Sequence, residues 1–385
     1  MTVVDAFDEL APQLRRRPDL EAHDLVAADA SDRLILASAD PMGAGVVVIG
    51  DRYGGLTLPL AAAGARVRVH QDALTGERAA RLNALDAGLA ADGRDAADPD
   101  EIAVPGVSWH DLVPGLVSGA TLVLLQLPRA LDALDEIAGL VAEHADASVR
   151  LIAGGRVKHM SLAMNDVLAR HFRAVSADRG VGKSRVLRAS GPIRGSARAW
   201  PRSERHDDLG LTVCAHGAAF AGTSVDIGTR FLLEHLAEAP DAAAAIDLGC
   251  GTGALATAYA LTRTHARVLA TDRSAAAVAS ARATAAANGV GDRVRVVRDD
   301  GLGGQPDDSA DLVLLNPPFH SDAAVTAQLA PRLFADAARV LRPGGEVWCV
   351  WNSHLRYRAQ LERIVGRTRQ VARNAKFTIT ASTRA

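Results

Sequence analysis

The residues of this chain best suited to chemistry are Asn316-Pro317-Pro318-Phe319, with His320 directly after them. Two prolines remove two backbone donors and stiffen a turn, so carbonyls near Asn316 can be held outward as acceptors; the Asn side chain adds an amide oxygen. Two acceptors aimed at one planar amino group would bind its hydrogens, help localise the nitrogen lone pair and point it at an electrophilic methyl. Phe319 offers a face on which a ring can stack. That is chemistry for methylating an exocyclic or amide nitrogen, and it has no evident use in hydride transfer. An amino group can lose its proton after transfer, so no general base is required; His320 is the rival candidate for that role.

A second constellation is Asp247-Leu-Gly249-Cys-Gly251-Thr-Gly253, placed where a strand runs into a helix. Small residues there let a ligand approach backbone N–H groups closely. With Ala254 in the sixth place the run also satisfies the dinucleotide fingerprint, and Asp272 follows Gly249 by 23 residues, where a ribose-binding carboxylate is expected. Taken alone, this loop leaves a nicotinamide enzyme open, and the Asn-Pro-Pro-Phe turn argues against it. Asp299-Asp300 supplies carboxylates that could accept from an adenine amino group, Asp300 being favoured.

These residues need a sheet to position them. The chain reads twice, with a period near 190 to 200 residues. Leu122-Val-Leu-Leu-Gln-Leu-Pro128 matches Leu312-Val-Leu-Leu-Asn-Pro-Pro318, and Val46-Val-Val-Ile-Gly-Asp-Arg-Tyr-Gly-Gly-Leu56 parallels Ala245-Ile-Asp-Leu-Gly-Cys-Gly-Thr-Gly-Ala-Leu255. His159-Met160 sits opposite His354-Leu355, and Lys183 to Ser190 opposite Lys376 to Ser382. Apolar β-rich runs alternate with Ala- and Leu-rich helical stretches, the signature of a parallel sheet covered by helices on both faces. In the second copy strands are expected near 243–248, 267–271, 293–297, 311–315 and 346–351. Before the last of these, Leu333, Phe334, Ala337, Val340 and Leu341 predict a helix with Pro331 in its first turn and Pro343-Gly344-Gly345 ending it. Gly191 to Arg205 reads as the linker, and Asp86 to Glu101 as a loop.

Composition narrows the classes. The 385 residues carry a formal net charge of −2, enough chain for two domains with their own cores. Cys214, Cys250 and Cys349 form no C-x-x-C pair or metal-spaced cluster, so no disulfide framework or metal site is expected, and a reducing cytoplasm fits best. No membrane span or signal peptide is read. Two stretches are basic, Lys183 to Arg205 and Leu355 to Lys376, each with a net +6. They fit either phosphate contacts or solvated surface.

Taken together, Asp247-x-Gly249-x-Gly251-x-Gly253, Asp272, Asp300 and Asn316-Pro317-Pro318-Phe319 resemble class I S-adenosylmethionine-dependent methyltransferases acting on amino nitrogens. Phe220, Asp226-Ile-Gly-Thr-Arg-Phe231, Asn352-Ser-His354-Leu-Arg-Tyr357 and Asn374-Ala-Lys376-Phe377 make the whole chain similar to the ribosomal RNA guanine-N2 methyltransferases of the RsmC and RlmG type, leaning toward the large-subunit members. The resemblance implies an α/β fold of two tandem Rossmann-like class I methyltransferase domains. Residues 1–194 would be a degenerate copy that binds no cofactor and docks RNA or scaffolds the fold; residues 200–385 would be catalytic. It further implies S-adenosylmethionine as cofactor, ribosomal RNA as partner and no metal. The cofactor would be held by Asp247, Gly249, Gly251, Gly253, Asp272, Asp300, Asp226 and Phe220, and Asn316 to Phe319 would catalyse. Ala221-Gly222 departs from the Ser-Arg that tends to follow the Phe, removing an expected basic contact. In the first copy Arg52 replaces Gly251, Gln126-Leu127-Pro128 replaces Asn316-Pro317-Pro318, and Arg129 stands at the place of Phe319. Alternatives are a protein glutamine or DNA adenine N-methyltransferase, or a non-catalytic RNA-binding protein.

Overall fold

The structure is a computed structural model that describes every residue except 1, 24, 40–44, 91–97 and 319–322, and omits the side chains of 323–327. Backbone proximity divides the chain into two units, Met1–Trp200 and Pro201–Ala385.

In the first unit the strands are β1 (Val46–Ile49), β2 (Val67–His70), β3 (Val107–Trp109), β4 (Leu122–Gln126), β5 (Arg150–Arg156), β6 (Phe172–Ala177) and β7 (Ser184–Pro192), in the order β3-β2-β1-β4-β5-β7-β6. β7 runs antiparallel to both its neighbours, and the other pairings are parallel. The helices are α1 (Val3–Leu10), α2 (Ala30–Ser38), α3 (Thr57–Ala62), α4 (Leu74–Asp86), α5 (Pro114–Val117), α6 (Leu131–His144) and α7 (Ala163–His171). A parallel strand buried on both faces reads as an unbroken apolar run rather than an alternation, which is why Val46-Val-Val-Ile49 carries no polar residue. Val47 and Ile49 pack in the cluster with α6 and α7, and Val46 and Val48 in the opposite one with α1 and α2.

The second unit opens with a hairpin, β8 (Arg202–His206) and β9 (Leu211–Ala215), then repeats the architecture. Its strands are β10 (Ala244–Leu248), β11 (Arg267–Asp272), β12 (Val294–Arg298), β13 (Ala310–Leu315), β14 (Leu341–Asn352), β15 (Thr368–Arg373) and β16 (Phe377–Thr383), in the order β12-β11-β10-β13-β14-β16-β15. The helices are α8 (Ile227–Glu234), α9 (Ala254–Thr262), α10 (Ala275–Ala287), α11 (Ala323–Val340) and α12 (Arg358–Ile364). The strand order is that of the first sheet. The repeat offsets also carry over into pairing: Val46 lies opposite Leu122, and their sequence counterparts Ala245 and Leu312 lie opposite each other.

Three expectations change. Pro331 lies inside α11, not in its first turn, because the helix begins eight residues earlier, at Ala323; one missing N–H is tolerated within a helix of 18 residues. Pro343-Gly344-Gly345 follows a helix that has already ended at Val340, and falls in β14 beside a register shift between Ala310 and Leu312. The linker is shorter than Gly191 to Arg205, since β7 reaches Pro192 and β8 begins at Arg202. Of the loop expected over Asp86 to Glu101, 91–97 lie outside the described residues and Pro99–Glu101 forms a short 3-10 turn.

Candidate active site

At the carboxyl ends of β10, β11, β12 and β13 the second unit contains a cavity of about 400 Å³. It is lined by Phe220, Asp226, Asp247, Gly249, Gly251, Asp272, Asp300, Asn316, Pro317 and Pro318, so ten of the residues expected from the sequence meet in one place. Phe319 and the rival His320 lie outside the described residues.

The loop after β10 explains its glycines. Gly249 and Gly251 have φ of +71° and +52°, and a Cβ on either would meet nothing within 4 Å, so both leave open space on the cavity side. Gly253 does not line the cavity. Its φ is +75°, and a Cβ there would come within 2.8 Å of the Ala281 side chain, so this glycine lets α9 pack on α10. In the first unit Gly50 and Gly54 keep positive φ, and a Cβ on Gly54 would again strike a neighbour, Leu58 at 2.8 Å, but the position of Gly251 holds Arg52. Of the two open glycines, Gly249 keeps a counterpart in Gly50 and Gly251 does not.

Asp247 is fully buried, its Oδ2 accepting from the Ala256 N–H at 2.9 Å. Burial, with a smaller push from Asp272, raises its carboxyl to about 7, and the Ala256 hydrogen bond opposes that. Asp272 ends β11 with Oδ2 accepting from Gly251 N–H at 3.0 Å and Oδ1 from Ser274 N–H at 2.9 Å. The carboxylate is therefore fixed against the glycine loop, with acceptor capacity remaining for hydroxyls. In the first unit the strand register puts Gln71 at this place: Val46 pairs with Val67 as Ala245 pairs with Val268. The charge is gone there, and Gln71 instead donates to the Asp51 carbonyl and accepts from Ala73 N–H.

The adjacent acids divide their work. Asp299 accepts from Asp300 N–H, Gly304 N–H and the Gln305 side chain, which shapes its own loop. Both acids line the cavity, and Asp300 also meets Arg332 at 2.5 Å. Leu329 and Leu333, one turn apart on α11, add an apolar wall that the motif reading did not find, although their i,i+4 spacing was visible. Ser224, Val225 and Arg273 also line the cavity without having been singled out, and so does Thr229, which the sequence reading quoted only as part of the Asp226 to Phe231 motif.

Asn316, at the end of β13, donates from Nδ2 to Asp226 Oδ2 at 3.1 Å and to Thr229 Oγ1 at 2.9 Å. Asp226 is the N-cap of α8, its Oδ2 accepting also from Gly228 and Thr229 N–H. Asn316 Oδ1 is buried and has no partner among the described residues. The donor set thus suits a nucleoside-bearing cation. The glycines supply a cradle, Asp272 acceptors for vicinal hydroxyls and Asp300 an acidic end, with an orphan acceptor on Asn316 beside them.

Comparison with known proteins identifies the family. The description Methyltransferase small domain matches residues 210–381, and RLMG N-terminal domain matches residues 3–192. The ribosomal RNA large subunit methyltransferase G of Streptomyces avermitilis is 36% identical over 378 residues, covering 95% of each chain. That of Pseudomonas aeruginosa is 36% identical over 374 residues, covering 95% of this chain and 96% of the other. The chain belongs to the ribosomal RNA large subunit methyltransferase G family. Its fold is that of the T. thermophilus 16S rRNA N2 G1207 methyltransferase (RsmC), solved in complex with AdoMet and guanosine, at a TM-score of 0.72 and 22% identity over 93% of this chain and 92% of that one. For this member of the family, the fold is accordingly two tandem methyltransferase-like domains, the first one degenerate. Among the described residues no helix is long and apolar enough to cross a membrane, and no cluster could hold a metal ion.

Proposed function

We propose that this chain is an S-adenosylmethionine-dependent methyltransferase that methylates the exocyclic N2 of a guanine in large-subunit ribosomal RNA. The observation that carries the reading is that Asn316-Pro317-Pro318 opens onto the same cavity as the glycine loop and Asp272. Gly249 and Gly251 would surround the methionine part with Asp247 nearby, Asp272 would accept from the ribose hydroxyls, and Asp300 would lie near the adenine. When bound, the cofactor supplies an electrophilic methyl on a positively charged sulfur. Asn316 and the carbonyls beside it would accept the hydrogens of the guanine amino group and aim its lone pair, and the proton would leave after transfer.

The first unit supports a docking role. The corresponding end of the first sheet carries Arg52 after β1, Arg129 after β4, and Arg156, Lys158 and His159 at and after β5, with Asp51 beside Arg52 and Asp29 3.6 Å from Arg156. These cations lie close enough to act together on His159, which is lowered by partial desolvation and then by Arg129, Lys158, Arg52 and Arg156. A guanine must be unstacked to reach Asn316, at a cost of a few kcal/mol that contacts elsewhere must offset. A protein glutamine substrate gives no comparable reason for this basic edge, and a DNA adenine substrate is disfavoured by the relatives, which are named as ribosomal RNA enzymes.

Mass mapping of large-subunit ribosomal RNA from cells with and without this protein tests the reading. One N2-methylguanine should disappear on deletion and return when purified enzyme and cofactor are added to the unmodified RNA. Unchanged guanines would refute it.

A further inference from the structure

Asn316 can offer a substrate amino group an acceptor only if its amide is the right way round. Asp226 is a carboxylate and can only accept, so the atom 3.1 Å from it must be the amide nitrogen. Thr229 Oγ1 takes the second hydrogen of that nitrogen at 2.9 Å, which leaves Oδ1 buried and, among the described residues, without a partner. The clamp is crowded: a Cβ on Gly228 would sit 3.1 Å from Asp226 Oδ2, 3.3 Å from Asn316 Oδ1 and 3.3 Å from Phe377. The degenerate unit keeps the same device. Buried Gln126, at the place of Asn316, donates to Asp32 in the first turn of α2, and its own Oε1 is orphaned.

We propose that Asp226 and Thr229 are positioning residues that lock the Asn316 amide, leaving Oδ1 as the one acceptor this side chain can present to the guanine amino group. This rests on the methyltransferase reading above and moves Asp226 from the cofactor to the catalytic asparagine. A buried acceptor left unmade is costly in the free protein, so its satisfaction by the substrate amino group favours the reacting complex.

Thr229→Val is nearly isosteric and leaves the Asp226 cap intact. It should lower kcat on ribosomal RNA about 10- to 100-fold, the range of one misplaced polar group, with cofactor Kd and RNA KM within about twofold of wild type; Thr229→Ser should restore turnover. Asn316→Asp puts a carboxylate against Asp226, so the pair must share a proton. Turnover of that variant should fall as pH rises, and adding Asp226→Asn should remove this step, which a mere helix cap would not do. Unchanged kcat in Thr229→Val, or a loss of cofactor affinity in its place, would overturn the proposal. So would a pH step indifferent to Asp226.

A readout without substrate separates this from the functional reading. The chain has six asparagines, so selective 15N labelling resolves the Asn316 side-chain amide. Its protons should exchange slowly in wild type and readily in Thr229→Val. If they exchange freely in wild type, the clamp is wrong whatever the substrate; if they are protected but no guanine is methylated, the clamp stands and the substrate assignment fails.

Discussion

Gly251→Arg, which copies the first unit's Arg52 into the second, should abolish cofactor binding and leave the second unit folded. Gly251 sits at φ +52°, and a Cβ there meets no atom within 4 Å, so a side chain has room but on a backbone that suits glycine. Holding another L-residue in that region costs roughly 1–2 kcal/mol, against a stability of about 5–15 kcal/mol for an ordinary domain. For a unit of this size that lowers the melting temperature by about 2–8 °C. The open space beside Gly251 belongs to the cavity of about 400 Å³, and a guanidinium placed there would exclude the ligand and repel its positive sulfur. Affinity should fall at least a hundredfold, about 2.7 kcal/mol. Titration calorimetry with S-adenosylmethionine and a denaturant melt on the same sample read the two effects separately. Wild-type affinity in a folded Gly251→Arg protein would refute the placement of the cofactor. The reverse change, Arg52→Gly, should create no binding, because Arg52 keeps a negative φ and Gln71 stands where Asp272 would be needed.

Asn316→Ala should bind cofactor as wild type does and turn over about 10²- to 10³-fold more slowly, as for loss of one transition-state hydrogen bond, in single-turnover assays. Stability should fall as pH rises from about 4 to 7, because Asp32 and Asp247 are both raised by burial to about 7 and so hold a proton that the unfolded chain releases. Each contributes on the order of 2–4 kcal/mol, and Asp32→Asn with Asp247→Asn should flatten the curve of denaturation midpoint against pH. Reversing the exposed Arg363, Arg367 and Arg373 to Glu should weaken RNA binding, lower its salt slope and leave cofactor binding alone, as read by filter binding across a salt series. A fragment of residues 201–385 should bind cofactor like the full chain yet methylate ribosomal RNA poorly, and equal efficiency on RNA would remove the docking role of the first unit.

Much of the site was legible because its chemistry is contiguous in the chain. The glycine loop, Asp272, Asp300 and Asn316-Pro317-Pro318 each end a strand, and parallel strands in one sheet bring such ends together whatever lies between them. Three features were not legible. Gly253 looked like its neighbours in sequence, and only its closeness to Ala281 shows that helix packing, not a ligand, requires it. Asp226 and Thr229 reach Asn316 across about 90 residues, a contact no local pattern contains. The basic stretch from Lys183 to Arg205 also proved mixed. Arg194 donates to the carbonyls of Ala142 and Ala145 at the end of α6, Arg188 is held by Asp178, and Arg198 lies 3.8 Å from Asp135. Reversing Arg194 would therefore disturb a helix terminus as well as remove a cation, so it is a poor probe of RNA binding.

The two sheets share one topology and one register, so the difference between their carboxyl edges isolates what each edge is for. In the second, Asp247, Asp272 and Asp300 face a cavity, and the two glycines that keep it open have nothing to pack against. In the first, the corresponding loop keeps Gly50 and Gly54 but holds Arg52 at the place of Gly251 and Gln71 at the place of Asp272. Cations end β1, β4 and β5, the strands nearest the centre of the sheet, with Asp51 beside Arg52 and Asp29 3.6 Å from Arg156. On the docking reading proposed above, these are the cations a polyanion would meet. Neutralising Arg52, Arg129 and Lys158 together should then lower RNA affinity and its salt dependence without altering the cofactor titration.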